Sequence, residues 1–370
     1  MRPQVYATSH ATKIEIRPLT SIRGIAAMAV VLYHFQGNFS YEFYLHKSTL
    51  LFSRGYLWVD FFFLLSGFIL SHVHAEDFAR GLAPYRTFLF KRIARVYPLH
   101  VTTLVILLLP LFWPVAEPMR STRTVSSFAS NLLMIQAWGR TDHLSWNYPS
   151  WSISTEWAAY LLFPLIVAIF YRGRLVLVAP AATLAIFGLD WLTSFGPPER
   201  IHDFGTNLGW LRCLVEFSTG VVIYRIFKMR PHIMRTDRAF AALAAGVLVA
   251  MHFGVPDFLI VFLFCGLLCA TALNAGTARR VLSLQPIYYL GLISYSIYMT
   301  HALVQLGILD KLPFRSFLAG LSPPAALAVF VLSCAGVIAV ASVSYFFVEV
   351  PGRSLVRWTS RHWQMKPGPA

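Results

Sequence analysis

Apolar residues fall in ten runs, near 20–36, 56–74, 96–113, 153–171, 174–192, 210–227, 239–255, 257–274, 287–309 and 323–348. Each is of the length, about 17 to 25 residues, that an α-helix needs to cross a hydrocarbon core. A shorter run, Phe128 to Trp138, is too short to cross and is expected at the interface or dipping back into the bundle. No internal repeat is visible. The pattern predicts an all-α membrane protein, a single bundle of about ten transmembrane helices. Residues 1–19 form an N-terminal segment, 20–348 the bundle and 349–370 a tail.

Charge sets the orientation. With an even number of spans both termini share a side, and 22 of the 31 Lys and Arg fall there when each is assigned to the nearer span end. Basic residues gather on the cytoplasmic side, so both termini are expected in the cytoplasm of a multi-pass protein in the lipid bilayer. The same count accounts for most of the net charge of +15 without nucleic acid. Composition agrees, with 57% apolar residues, 13% charged and a mean hydropathy of +0.60, which excludes a soluble globular enzyme. The first 19 residues are polar and carry no A-x-A cleavage pattern, so no signal peptide is expected. The segment from about 114 to 152, with Asp142, His143, Trp146 and Trp151, reads as an external aromatic cover over one end of the bundle. Cys213, Cys265, Cys269 and Cys334 make no C-x-x-C and no Cys/His cluster, so neither disulfides nor a metal is expected.

Ionisable side chains inside apolar runs are costly and therefore functional candidates. Arg23 and His34 lie eleven residues apart on one helix face, Arg23 at the cytoplasmic rim and His34 roughly 16 Å deeper, near mid-membrane. His34 is either a hydrogen-bonded packing residue or a general base, since imidazole can take a proton from a hydroxyl near neutral pH. Lys91, Arg92 and Arg95 gather where the third run begins. They are ordinary positive-inside anchors or a cluster that forks onto phosphate oxygens. Glu156 opens the fourth run among hydroxyls and indoles and wants a cationic or imidazole partner. Arg212 and Glu216, one turn apart, read as an internal ion pair. His301 ends a polar stripe of Ser294, Tyr295, Ser296, Tyr298 and Thr300, which would otherwise glue helices together. Asp60, His252 and Glu349 lie near run ends and are expected at the interface, and His72 and His74 lie at the cytoplasmic edge without a metal-like partner set.

Six motifs in order resemble the acyltransferase 3 family of bacterial inner-membrane proteins, and the likeness covers most of the chain. They are Arg23 with His34; Gly55 to Phe63 with Ser66-Gly67-Phe68; Arg92-x-x-Arg95 with Tyr97-Pro98; Trp151 to Glu156; Arg212, Glu216, Phe217 and Gly220; and the stretch ending at His301. The resemblance implies an acyl-coenzyme A donor, usually acetyl-coenzyme A, reaching the cytoplasmic side, and a carbohydrate acceptor. It implies Arg92 and Arg95 near the donor's phosphates and Arg23 and His34 in the catalytic region. The opening Leu19-Thr20-Ser21-Ile22-Arg23-Gly24 looks most like members that decorate exopolysaccharides. Many members carry a further span and a hydrolase-like domain. Because this chain stops some twenty residues after its last run, polysaccharide-assembly proteins are expected to present the acceptor separately.

The combined reading is an O-acetyltransferase acting on a hydroxyl of a cell-surface polysaccharide or its lipid-linked precursor. His34 is the expected base or, less favoured, an acyl carrier, with Glu156 or His301 orienting it or relaying a proton. The rivals are a proton-coupled transporter, against which the run pattern shows neither inverted repeats nor paired broken helices, and a membrane sensor without turnover.

Overall fold

The computed structural model describes residues 15–39, 49–112, 119–139, 144–194 and 209–356, and every regular element among them is helical. Most of the expected N-terminal segment and tail, together with Asp142 and His143, lie outside the described residues.

Each apolar run folds as a helix or a bent pair. In chain order these are α1 (Arg17–Gln36), α2 (Trp58–Leu70), α3 (Tyr85–Ile106), the short α4 (Val125–Leu132), α5 (Trp151–Leu161) and α6 (Leu175–Ser194). They continue with α7 (Gly209–Lys228), α8 (Asp237–Phe253), α9 (Asp257–Leu273), α10 (Gln285–Leu292), α11 (Ser294–Val304) and α12 (Pro323–Ser344). Local signals fit these limits. Proline opens α1, α10 and α12, the Thr124 hydroxyl caps α4, the Thr236 hydroxyl caps α8, and Gly254 ends α8 in the left-handed conformation at φ 70°.

Among the described residues, three helical stretches are long and apolar enough to cross a membrane: Arg17–Gln36, Gly55–Ala79 and Pro323–Val356. The number rises to five if each of two bent pairs is one span. The expected ten is not reached by this measure, for two physical reasons. Charged residues lower the hydropathy of α3, with Lys91, Arg92 and Arg95, and of α7, with Arg212 and Glu216. Breaks shorten others. Gln285–Leu292 meets Ser294–Leu309 at 66°, and Tyr148–Leu161 meets Phe163–Tyr171 at 63°. These two breaks correct the expectation of uninterrupted helices.

Tight helix crossings organise the bundle. Where α2 meets α7, a methyl on Gly67 would collide with the Phe217 backbone, and one on Gly220 with that of Leu64. Where α1 meets α10, Gly24 and Gly291 do the same against the Leu290 and Thr20 backbones. Small residues at crossings let backbones touch, as helix packing in lipid demands. Phe61, Phe68, Phe217 and Phe264 fill the core beside the first crossing, whereas α6 and α12 leave Val176, Leu184, Leu332 and Val343 exposed.

Polar residues expected at the interface are inside. Asp60 is buried and accepts a two-pronged contact from Arg212, which also lies 3.7 Å from Glu216. The internal pair thus has a third member, reached from α2. Glu349 is buried as well, on Arg95, Arg353 and Ser296. Among the three, His252 alone remains half-buried, with Thr49 at 2.9 Å. The short run at Phe128 folds inward, its buried Asn131 amide donating to the Ser127 carbonyl and to Ser145 while its carbonyl meets His100 Nε2 at 2.7 Å. Trp146 of the expected cover is buried over it, and Trp151 is half-buried.

Candidate active site

The site grows from the break between α10 and α11. Helix α10 ends at Leu292, so its last turn carries the negative end of the helix dipole, and the Gly291 carbonyl there, which already accepts from the Ser294 hydroxyl at 2.9 Å, has room for a second donor. The Gly24–Gly291 crossing brings α1 close enough for Arg23 to supply it. Its Nη2 donates to the Gly291 carbonyl at 3.0 Å and its Nε to Ser294 Oγ at 2.9 Å.

Beyond Arg23 lies a cavity of about 150 Å³ whose wall includes Arg23, Arg92, Arg95, Glu156, Tyr295 and Tyr298. Four expected site residues therefore meet there. Arg92 and Arg95 reach it from one face of α3, with Arg95 paired to Glu349 and Arg92 over the Phe88 ring at 5.9 Å. Lys91 is exposed on another face of the same helix and is not part of the cavity wall. The Glu156 carboxylate comes from α5, accepts from Ser66 of α2 and bonds with Tyr160 one turn on. The Tyr295 hydroxyl closes one side by donating to the Val96 carbonyl of α3. Three guanidiniums against one carboxylate make the wall electropositive and suited to an anion.

His34 and His301 lie elsewhere, and together. Their rings stack with centroids 5.1 Å apart and planes 29° apart, beside Tyr148 at 4.9 Å from His34. His301 is buried; its Nδ1 donates to the Tyr298 carbonyl at 2.7 Å, which assigns the free lone pair to Nε2, and Nε2 has no partner among the described residues. His34 is half-buried in the last turn of α1, two residues from its end. Tyr298 connects the two places. Its side chain lines the arginine cavity, its hydroxyl bonds with Ser152 and donates to the Pro149 carbonyl, and its backbone holds His301. Helix α11 carries Ser294 beside Arg23 and His301 beside His34, seven residues and roughly 10 Å apart along the axis.

Sequence reasoning missed Ser66, Ser152, Tyr160, Tyr298 and Glu349 as site residues, although the first four sit in or beside motifs it had marked. For Glu349 the signal was a carboxylate closing the apolar turn Tyr345–Glu349. No group of three or more His, Cys, Asp or Glu placed to hold a metal occurs among the described residues. The described cysteines are all free.

Residues 19–343 match the acyltransferase domain family. The acyltransferase MdmB of Streptomyces mycarofaciens is 30% identical over 269 residues, which are 66% of this chain and 64% of that protein. The peptidoglycan O-acetyltransferase OatA of Listeria monocytogenes is 21% identical over 326 residues, 80% of this chain and 50% of that protein. The chain therefore spans between half and two thirds of the length of these relatives. No solved structure matches the chain. The family match covers the helices that carry Arg23, His34, Arg92, Arg95, Glu156 and His301, and the chain belongs to the acyltransferase domain family.

Proposed function

We propose that this chain is a membrane O-acyltransferase that moves an acetyl group from acetyl-coenzyme A to a hydroxyl of a cell-surface polysaccharide or its lipid-linked precursor. The observation that carries the reading is the electropositive cavity at Arg23, Arg92 and Arg95, one tyrosine away from a pair of stacked imidazoles. Arg92 and Arg95 hold the donor's phosphates, since a guanidinium forks onto two oxygens. Lys91, exposed on another face, has no part in this. Arg23 fixes the α10–α11 break and borders the donor's path.

His34 accepts the proton of the acceptor hydroxyl as that oxygen attacks the thioester carbonyl. The new C–O bond forms, the C–S bond breaks, and the proton passes from the imidazole to the departing thiolate, releasing coenzyme A as the thiol. His301, oriented by the Tyr298 carbonyl, keeps His34 in place through the ring stack. Glu156, among the arginines, offsets part of their charge when no donor is bound. The bundle lies in the bacterial inner membrane as ten spans with both termini cytoplasmic, which puts Arg92 and Arg95 on the donor's side. Polysaccharide-assembly proteins present the acceptor.

One observation favours a second reading. The two bent helix pairs are the kind of broken helix that transporters use at their binding sites. The deciding experiment gives purified protein labelled acetyl-coenzyme A and a glycan acceptor. Labelled product supports the enzyme; donor binding without product indicates a sensor; solute flux in proteoliposomes without donor binding indicates a proton-coupled transporter.

A further inference from the structure

Glu349 stands outside the cavity, yet it pairs from another helix with a cavity arginine, Arg95. It closes the π-helical turn Tyr345–Glu349 that follows α12, and its side chain is 1% exposed against 25% for Arg95. One carboxylate oxygen accepts from both Arg95 and Arg353; the other accepts from Ser296 Oγ of α11 at 2.7 Å. Gly352 allows this contact, because a methyl there would collide with the Pro98 ring of α3. A single buried carboxylate thus ties together α3, α11 and the end of the last helix.

Counting charge separates a positioning device from a mere fold clamp. Arg353, one turn along, already matches the charge of Glu349. Arg95 is a second cation on the same carboxylate, so the trio keeps a surplus positive charge, and the surplus faces the cavity. Glu349 engages Nη1 of Arg95, the Tyr295 ring lies against the guanidinium at 5.6 Å, and among the described residues its other nitrogens make no further hydrogen bond. The side chain is held at one nitrogen and one face, with its remaining N–H groups available to a ligand.

The geometry points to Glu349 as a positioning residue that aims Arg95 into the cavity for the anionic end of the acyl donor, a role that rests on the donor reading above. It touches neither donor nor acceptor. A tethered guanidinium loses less rotational freedom on binding than an untethered one, and supporting shells of this kind fix the groups that contact a ligand.

Glu349→Gln keeps the shape and removes the charge. Loss of one charge-assisted contact should raise the KM for acetyl-coenzyme A about tenfold while kcat stays within roughly twofold. Added to Arg95→Ala, the same change should raise the donor KM no further, because there is then nothing left to aim. Ser296→Ala, which removes a hydrogen bond and no charge, should move the donor KM in the same direction by a smaller factor, and it carries the test if Glu349→Gln is not recovered folded. An unchanged donor KM, a loss confined to kcat, or additive effects in the double variant would overturn the assignment. If Arg95→Ala raises the donor KM and neither Glu349→Gln nor Ser296→Ala does, this inference alone falls. If Arg95→Ala itself leaves the donor KM unchanged, the donor reading falls with it.

Discussion

His34 and His301 stack ring on ring at 5.1 Å, brought together by α1 and α11 from opposite ends of the chain. Two imidazoles in one place allow a division of labour: one meets the reacting hydroxyl and the other fixes its direction. His34→Ala should lower kcat on the order of 10²-fold or more, the usual loss of a general base, with the protein still folded and inserted. His301→Ala should cost less, and the double variant little beyond His34→Ala, since contacting groups in one unit are not additive. Near-normal transfer by a well-inserted His34→Ala protein would make His34 a packing residue.

For Arg92 the phosphate reading and the anchor reading part in the kinetics. Arg92→Ala should mainly raise the KM for acetyl-coenzyme A, by about 1 to 3 kcal/mol of lost contact to phosphate. Arg92→Lys should restore part of this, because an ammonium keeps charge without the fork. Donor binding in wild type should also weaken with salt, and less so in an Arg92→Ala, Arg95→Ala double variant. Wild-type donor binding and salt dependence in the double variant would leave both residues as topology anchors.

The glycine crossings predict a contrast in stability. Gly67→Ala should lower the thermal midpoint in detergent, since its methyl meets the Phe217 backbone and overpacking costs about 1 to 3 kcal/mol. Gly336→Ala, in α12 with nothing within 4 Å of the added methyl, should be neutral or stabilising, as alanine is the better helix former by about 1 kcal/mol. Equal midpoints for the two variants would contradict the close α2–α7 approach.

Acid sensitivity follows from the turn between α9 and α10. The backbone N–H groups of Ala278 and Thr277 donate to the Asp237 carboxylate at 2.9 and 2.8 Å and hold it below the usual carboxylate range. A lowered folded pKa means that this stabilisation is complete above the unfolded value of about 3.9 and is lost as pH falls through the folded one. Melting profiles from neutral pH down to roughly pH 3 should therefore steepen in wild type and flatten in Asp237→Asn. Superimposable profiles would remove Asp237 from the account.

Topology can be read directly. A reporter fused after Ala370 should be cytoplasmic, and one inserted near Thr122 external. An external C-terminus would reverse the bundle and take Arg92 and Arg95 away from the donor.

Much of the bundle was legible because apolar run length is a strong signal: each of the ten runs returns as a helix or bent pair. The arginine cluster was legible too, through residues that share a face of α3. Lys91 was not separable from Arg92 by adjacency, because neighbouring positions on a helix point about 100° apart. Asp60 and Glu349 were misplaced at the interface because hydropathy near a run end cannot tell a carboxylate facing water from one facing a buried guanidinium; only the approach of α7 and α3 decides. The break at Leu162 did carry a signal, Pro164 opening the next helical turn, but the break at Ile293 did not, since its flanking glycine and serines are also found in unbroken membrane helices. The meeting of His34 with His301 depends on the Gly24–Gly291 crossing, a contact that composition along the chain does not encode.

That crossing also bears on how the protein is made. Arg23 enters with α1, while the carbonyl and hydroxyl that receive its guanidinium lie 268 and 271 residues further along. At roughly 5–20 residues per second of synthesis, the charge waits on the order of tens of seconds for its partners. During that interval Arg23 must stretch its aliphatic stem toward the lipid headgroups, and α1 can settle to its final depth only after the broken helix has been delivered beside it. Helix α1 therefore enters the membrane well before it can reach its native position, and the candidate site is complete only once α10 and α11 have been made.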